Sequence, residues 1–387
     1  MTTKIPLAEP DVTGNEQKYL SECISTGYVS SVGKFVNLFE ERIAETVDAK
    51  YCVAVNSGTS ALHLSLLALG VKNDDLVILP SLTFIASANA ISYCGASPWL
   101  FDVSETDWCL DANLLETTLK KETIFSEGKL IHKESNKTVS AIMPVYTNGT
   151  PANIDAISKI AQKYGLPVIA DAAAAIGAKY EGNKTGNLNA DLTTYSFNGN
   201  KTITSGGGGA IVGNNKEILE RIKHLSTTAR VGRNYDHDVV GFNYRMTNIQ
   251  AAVGCAQIER LDDFIQNKKF IKASYKKIVD EIADIFVIPE NDNTESACWL
   301  SGIVVGRTYD IDTIQNQLNE AGVESRQFWK PVHLQKPYAN SPKTQMNICE
   351  NLWNRVLILP SSSNLSKENI NFVVNKTIEI FKENGAK

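Results

Sequence analysis

Lys201 lies in YSFNGNKTITSGGGGAIV, between an aromatic stretch with strand character and four consecutive glycines, Gly206 to Gly209. A lysine amine that loses its solvation sheds its proton and attacks carbonyl groups, and small neighbours let a planar group approach it. The same residues suit a solvated lysine ahead of a glycine hairpin. Asp171, in VIADAAAAIGA, closes an apolar run, where a carboxylate either caps a following helix or meets a cationic ligand group. Ser57, Gly58, Thr59 and Ser60, in NSGTSALHL, follow the strand-like YCVAV. A helix starting there offers free N–H groups to an anion such as phosphate, or is an ordinary helix start. Phe84, in PSLTFIASANA, is either core or a ring that stacks on a planar ligand.

Each reading taken singly is weak. In that order, a phosphate cradle, an aromatic, a strand-end aspartate and a lysine together describe a pyridoxal phosphate pocket. The aspartate would pair with the pyridine nitrogen and keep it protonated.

The elements that must hold these residues alternate. YCVAV, LVILP, SPWLFDV, VSAIMPVY and LPVIAD read as strands, and the intervening ALHLSLLALG, FIASANAISYCG and IDAISKIAQKYG read as helices. This rhythm predicts an α/β fold with a mainly parallel central sheet covered by helices, and ligands beyond the carboxyl ends of its strands. Residues 248–280 read as one long helix, and residues 120–140 as a surface hairpin or loop. The tail, with IFVIP, ACWLSGIVV, IDTIQNQLNEAG and a last helix from Ser366, reads as a smaller α+β domain. The expected division is a large domain over residues 1–250, with an N-terminal arm, and a small domain over residues 251–387.

Composition narrows the function. A net charge of −5 without long runs of one sign argues against nucleic-acid binding, and no basic amphipathic stretch points to a membrane surface. Seven scattered cysteines with no CxxC pair, and five scattered histidines with no HExxH, predict neither a disulfide framework nor a metal site. With no leader-like apolar core at the start, the expectation is a cytoplasmic protein.

Near end to end, the chain resembles the DegT/DnrJ/EryC1/StrS aminotransferases, which act on keto groups of nucleotide-linked sugars. The resemblance rests on IPLAEPDVTGNE, TGYVSSVGKFVNLFE, NSGTSALHL, DAAAAIGA, SFNGNK with SGGGGA, GFNYRMTNIQAAVG, FWKPVHLQKPY and LPSSSNL. It implies a pyridoxal phosphate enzyme of fold type I, the aspartate-aminotransferase-like architecture. Lys201 would bind the cofactor through its amine and shuttle the substrate proton, and Asp171 would meet the pyridinium. Phe84 would stack on the ring, with Gly58, Thr59, Ser60 and Ser196 at the phosphate. Asn243 would reach the phosphate of a neighbouring subunit, implying a homodimer with shared active sites. Tyr28, Ser30, Lys34, Arg230, His333 and Tyr338 would line the sugar-nucleotide site, and Arg233 and Arg245 flank the same region as Arg230. L-Glutamate is the expected donor. A UDP-linked 4-keto-6-deoxy-N-acetylglucosamine is the expected acceptor, with GDP-perosamine or TDP-sugar chemistry, or a non-catalytic sensor role, as alternatives. One position departs from the family: Ala174 stands where a polar Gln, Glu or His usually contacts the cofactor.

Overall fold

The computed structural model describes residues 4–385. Seven strands form the principal sheet: β1 (Tyr51–Val55), β2 (Leu76–Pro80), β3 (Ser97–Phe101), β4 (Val139–Ile142), β5 (Ile169–Asp171), β6 (Leu192–Ser196) and β7 (Gly209–Gly213). Their spatial order is β1-β7-β6-β5-β4-β2-β3, with β5 joined to β4 by the parallel bridges Ile142–Val168 and Val145–Asp171. Pairing is parallel throughout except for β7, which runs antiparallel to both neighbours. The apolar runs LVILP and GAIVG are buried along their whole length, as strands covered on both faces must be. The mainly parallel α/β sheet read from the sequence is present. The residues 120–140 form the expected hairpin, Thr123–Ser126 against Lys129–His132.

A second, fully antiparallel sheet follows in the C-terminal third. Its strands are β8 (Ile285–Val287), β9 (Ser301–Val305), β10 (Arg326–Gln327) and β11 (Val356–Leu359), in the order β8-β9-β11-β10. The closing helix Lys367–Asn384 is capped by Ser366, whose hydroxyl accepts from the Asn369 N–H. Strand β9 starts at Ser301 and not within ACWL; Ala297–Leu300 is irregular, and its Trp299 and Leu300 line the site described below.

The long helix expected over 248–280 is two helices, Asn248–Ile258 and Leu261–Glu281. The chain leaves helical geometry at Arg260, with φ −117° and ψ 8°. The break is held by residues from the chain's other end. The Arg260 guanidinium donates to both Asp11 carboxylate oxygens at 3.0 and 2.8 Å, and Glu259 accepts from Tyr19, Asn15 and Arg42. The first of the two helices lies flush on the core: a Cβ at Gly254 would sit 2.4 Å from the Phe39 ring. The second serves both halves, packing Phe264 with the principal-sheet core and Ile271, Tyr275 and Ile278 with the C-terminal core.

Candidate active site

Helix α1 (Gly58–Ala68) begins directly after β1, with Ser57 as its N-cap. The Ser57 hydroxyl accepts from the Ser60 N–H, and the N–H groups of Gly58 and Thr59 find no acceptor among the described residues. Two free donors at a helix N-terminus favour an anion. The glycine run makes room for this turn. A Cβ at Gly209 would lie 2.5 Å from the Ser57 carbonyl oxygen and 2.8 Å from the Gly58 nitrogen. A Cβ at Gly58 would lie 2.8 Å from that of Ser196. The thinning of side chains around Lys201 therefore serves close packing of β7, β6 and α1.

Lys201 itself sits in the connection between β6 and β7. That loop is pinched at its base, where the Phe197 N–H donates to the Gly208 carbonyl and the Ser205 N–H to the Phe197 carbonyl, both at 2.9 Å. The loop projects Lys201 into a cavity of about 540 Å³, in the range of small-molecule sites. Ser57, Gly58 and Thr59 form one end of the cavity; Thr83, Phe84 and Ser87, Asp171 with Ala173 and Ala174, and Ser196, Asn198 and Asn200 form its walls. The opposite side comes from Trp299, Arg326, Gln327, Phe328 and Trp329, and Leu7 and Ala8 close one flank.

Asp171 is 5% exposed at the carboxyl end of β5. No helix follows it; residues 172–178 run through tight turns, so it caps nothing. Its Oδ2 accepts from the Ser87 hydroxyl at 2.6 Å and its Oδ1 from the Ala173 N–H at 3.1 Å. Since the Ser87 proton is committed to Asp171, the Thr83 hydroxyl, 2.9 Å away, donates to Ser87. Burial nonetheless pushes the carboxyl above the ordinary aspartate value, against those hydrogen bonds and the weaker pull of Lys201. A carboxylate so placed gains from a cationic partner. Burial also brings the Lys201 ammonium down to about 8, with Asp171 opposing. The amine lies 3.8 Å from the centroid of the Trp299 ring. At neutral pH a readily released proton therefore sits within the cavity.

These residues fit pyridoxal phosphate. The free N–H groups of α1 suit its phosphate, buried Asp171 suits a protonated ring nitrogen, Lys201 suits its carbonyl, and the 56% exposed ring of Phe84 at the wall suits its face. Among the described residues no group of three or more His, Cys, Asp or Glu is placed to hold a metal ion, and no helix is long and apolar enough to cross a membrane.

Of the residues singled out from sequence, Lys201, Asp171, Phe84, Gly58, Thr59 and Ser196 converge on the cavity. Ser60 stands behind it: its hydroxyl is spent on Asn56 Oδ1 at 2.7 Å and on Ser57. His333 and Tyr338 also lie outside the cavity lining. His333 Nδ1 pairs with the Ser81 hydroxyl at 2.7 Å, burial lowers the imidazole's pKa, and the Tyr338 hydroxyl donates to Asn89. Their polar atoms tie the FWKPVHLQKPY segment to the residue after β2 and to the helix Ile85–Tyr93 that follows. Arg245 is buried in an ion pair with Glu40 and donates to the Ala54 carbonyl. Tyr28 and Ser30 are exposed, and their carbonyls accept from Asn248. Lys34 pairs with Glu22. Arg230 stacks on Tyr235 and donates to the Arg233 carbonyl, on the exposed hairpin Arg230–Val231/Asp236–His237. Asn243 is exposed beside it. Within one chain none of Tyr28, Ser30, Lys34, Arg230 and Asn243 reaches the cavity.

Sequence reasoning missed Ser87, Trp299 and Arg326. Thr83 and Ser87 stand four residues apart at a helix start, a spacing that puts two hydroxyls in reach of each other. Among the described residues Arg326 is, besides Lys201, the cationic side chain on the cavity wall. Ala174 lines the cavity with a methyl group, as its type requires.

The sequence pattern of the DegT/DnrJ/EryC1/StrS aminotransferase family matches residues 10–377. The chain is 38% identical over 381 residues to a GDP-perosamine synthase of Escherichia coli O157:H7, covering 98% of this chain and 99% of that protein. It is 30% identical over 372 residues to a UDP-4-amino-4,6-dideoxy-N-acetyl-beta-L-altrosamine transaminase of Campylobacter jejuni, covering 95% and 93%. A crystal structure of a DegT DnrJ EryC1 StrS aminotransferase from Brucella abortus superposes with a TM-score of 0.86 at 26% identity, covering 96% of each chain.

Proposed function

We propose, from the premise that the chain belongs to the DegT/DnrJ/EryC1/StrS aminotransferase family, that it moves the amino group of L-glutamate to the 4-keto carbon of a nucleotide-linked 4-keto-6-deoxy sugar. It is a pyridoxal phosphate-dependent sugar-nucleotide aminotransferase of fold type I. The observation that carries the reading is the convergence of Lys201, Asp171 and the open N-terminus of α1 on one cavity.

When bound, pyridoxal phosphate supplies an electrophilic carbonyl and a ring that withdraws electrons from the carbon losing its proton. The chain's residues supply the rest. The Gly58 and Thr59 N–H groups and Ser196 would hold the phosphate, and Phe84 would cover a face of the ring. Asp171, whose carboxylate form the Ser87 hydroxyl and the Ala173 N–H favour against burial, would pair with the protonated ring nitrogen. Lys201, with its pKa near 8, would anchor the carbonyl, and its amine is placed to take a proton from the donor's Cα and to return one on the acceptor side.

The relatives named for GDP-linked perosamine are more similar to this chain than the one named for a UDP-linked altrosamine, which favours a GDP sugar over the UDP-linked N-acetyl sugar suggested by the sequence motifs. Arg326, on the cavity wall, is the cation best placed for an anionic substrate group. The exposed hairpin near Asn243, with Val240 84% exposed, suits burial against a second copy of the chain, which would bring Asn243 and Arg230 to the partner's cavity. The domain division at residue 250 and a cytoplasmic location complete the proposal.

The test offers purified enzyme a panel of GDP-, UDP- and TDP-linked 4-keto-6-deoxy sugars with L-glutamate, and reads the products by mass and NMR. A 4-amino sugar on GDP supports the first reading and one on UDP the second. No amination of any nucleotide sugar, by an enzyme that borohydride shows to carry cofactor on Lys201, would sink both.

A further inference from the structure

Lys268 is a cation with no carboxylate partner among the described residues. It is 4% exposed on the helix Leu261–Glu281, and its amine donates to the Trp299 carbonyl at 2.9 Å and the Ser361 carbonyl at 2.8 Å. The titratable group beside it is the buried thiol of Cys298. A buried ammonium without an anionic partner is costly, and its retention calls for a role that an apolar side chain would not fill.

Its two acceptors sit at the edges of the active site. Trp299 belongs to the irregular stretch Ala297–Leu300, and the residue before it, Cys298, has φ +49°, a left-handed conformation that a non-glycine residue adopts only where its surroundings enforce it. The enforcement is visible. The Ala297 N–H donates to the Gly149 carbonyl at 3.0 Å, the Asn148 amide grips the Leu300 N–H and carbonyl, and the Ser301 N–H donates to the Ser361 hydroxyl. Lys268 bridges the middle of this stretch to the end of β11. The indole that results faces the catalytic amine, 3.8 Å from centroid to Nζ, while its N–H donates to the Asn200 carbonyl at 2.7 Å, one residue before Lys201.

We propose that Lys268 is a positioning residue for transamination: by holding the Trp299 carbonyl it fixes the indole against Lys201, so that one wall excludes water from the reacting amine and steadies its loop. The inference rests on the proposed function only in taking Lys201 as the reacting amine. Two effects of the indole oppose each other: it shields the amine from water, which favours the neutral form, and its π face favours the ammonium. Burial is the larger influence on Lys201, so loosening the indole should move the amine back toward its ordinary value.

The experiment labels the full chain, freed of cofactor, with an amine-directed reagent across pH and quantifies the Lys201 peptide by mass spectrometry. Lys268→Met should raise the labelling midpoint by about one unit, leaving about tenfold less reactive amine at neutral pH. Lys268→Arg, which keeps the donors, should restore much of the wild-type midpoint. If folded Lys268→Met keeps the wild-type midpoint, Lys268 merely supports the core and the inference falls. If Lys268→Met does not fold, Trp299→Leu decides: an upward shift sustains the inference and an unchanged midpoint overturns it. Borohydride fixation on the loaded enzyme separates the two failures, because cofactor attached to a lysine other than Lys201 would sink the proposed function instead.

Discussion

Removing the Ser87 hydroxyl should weaken the protein in a way that depends on pH. The hydroxyl donates to Asp171 at 2.6 Å, in a place where both side chains are almost fully buried. A hydrogen bond to a charged group contributes about 1.5–3 kcal/mol, which corresponds to about one to two units in the pKa of the acceptor. The Asp171 carboxyl is already raised by burial, so Ser87→Ala raises it further. The sign follows from linkage. A carboxyl whose folded-state pKa lies above its unfolded value adds stability below the unfolded value and loses that contribution as pH rises through the folded one. The variant should therefore lie close to wild type in acid, where Asp171 is protonated in both proteins, and fall increasingly short of it as pH rises through the carboxyl's folded-state value. Thr83 retains the Phe84 carbonyl at 3.4 Å as another acceptor, which concentrates the loss on Asp171. The assay is urea unfolding of the cofactor-free chain below the ordinary aspartate value and again at neutral pH, with Ser87→Thr as the variant that keeps a hydroxyl. An equal deficit at both pH values would refute the reasoning, because the missing bond would then not be one to a carboxylate. So would the absence of any deficit.

Mixing Lys201→Ala with Asn243→Ala protomers should restore part of the activity, since a heterodimer with shared sites contains one cavity free of both changes; no recovery despite proven subunit exchange would count against the shared site. Gly209→Ala places a Cβ 2.5 Å from the Ser57 carbonyl oxygen, and forcing backbone apart there costs about 1–3 kcal/mol. Because the strain falls on the turn that offers the Gly58 and Thr59 N–H groups, cofactor affinity measured by equilibrium dialysis should drop by about tenfold or more, and an unaltered affinity would show that the turn is not the phosphate seat.

Lys201, Asp171 and Thr59 were legible because each follows or ends a strongly patterned strand, so order along the chain placed them at one edge of the sheet. Ser87 was not, because a serine in FIASANAIS reads as a small helix residue, and the carboxylate it serves lies 84 residues away. The far wall was hidden for the same reason: Trp299 and Arg326 enter from another sheet, and periodicity carries no information about which sheets meet. His333 is the opposite case. Its resemblance suggested a sugar contact, whereas it lies outside the cavity lining and its Nδ1 pairs with Ser81, 252 positions distant. The break at Arg260 left no local trace either, since the amphipathic pattern runs straight through it and its partner, Asp11, comes from the N-terminal region.

The flank formed by Leu7 and Ala8 ties the beginning of the chain to its last strands. The Ile5 N–H donates to the Gly322 carbonyl, the Glu9 N–H to the Ser362 hydroxyl, and the Leu7 carbonyl accepts from the Ser361 N–H. Contacts spanning nearly the whole sequence form late, because the loop they close is as long as the protein. During synthesis, Leu7 leaves the ribosome long before Ser361 does, and Lys201 also emerges ahead of the Trp299 and Arg326 wall. Lys201 therefore emerges on a growing chain before the Trp299 and Arg326 side of its cavity has been made. A chain that has not yet reached Ser361 and Ser362 lacks the partners that hold Leu7 and Glu9, and so lacks this flank of the cavity.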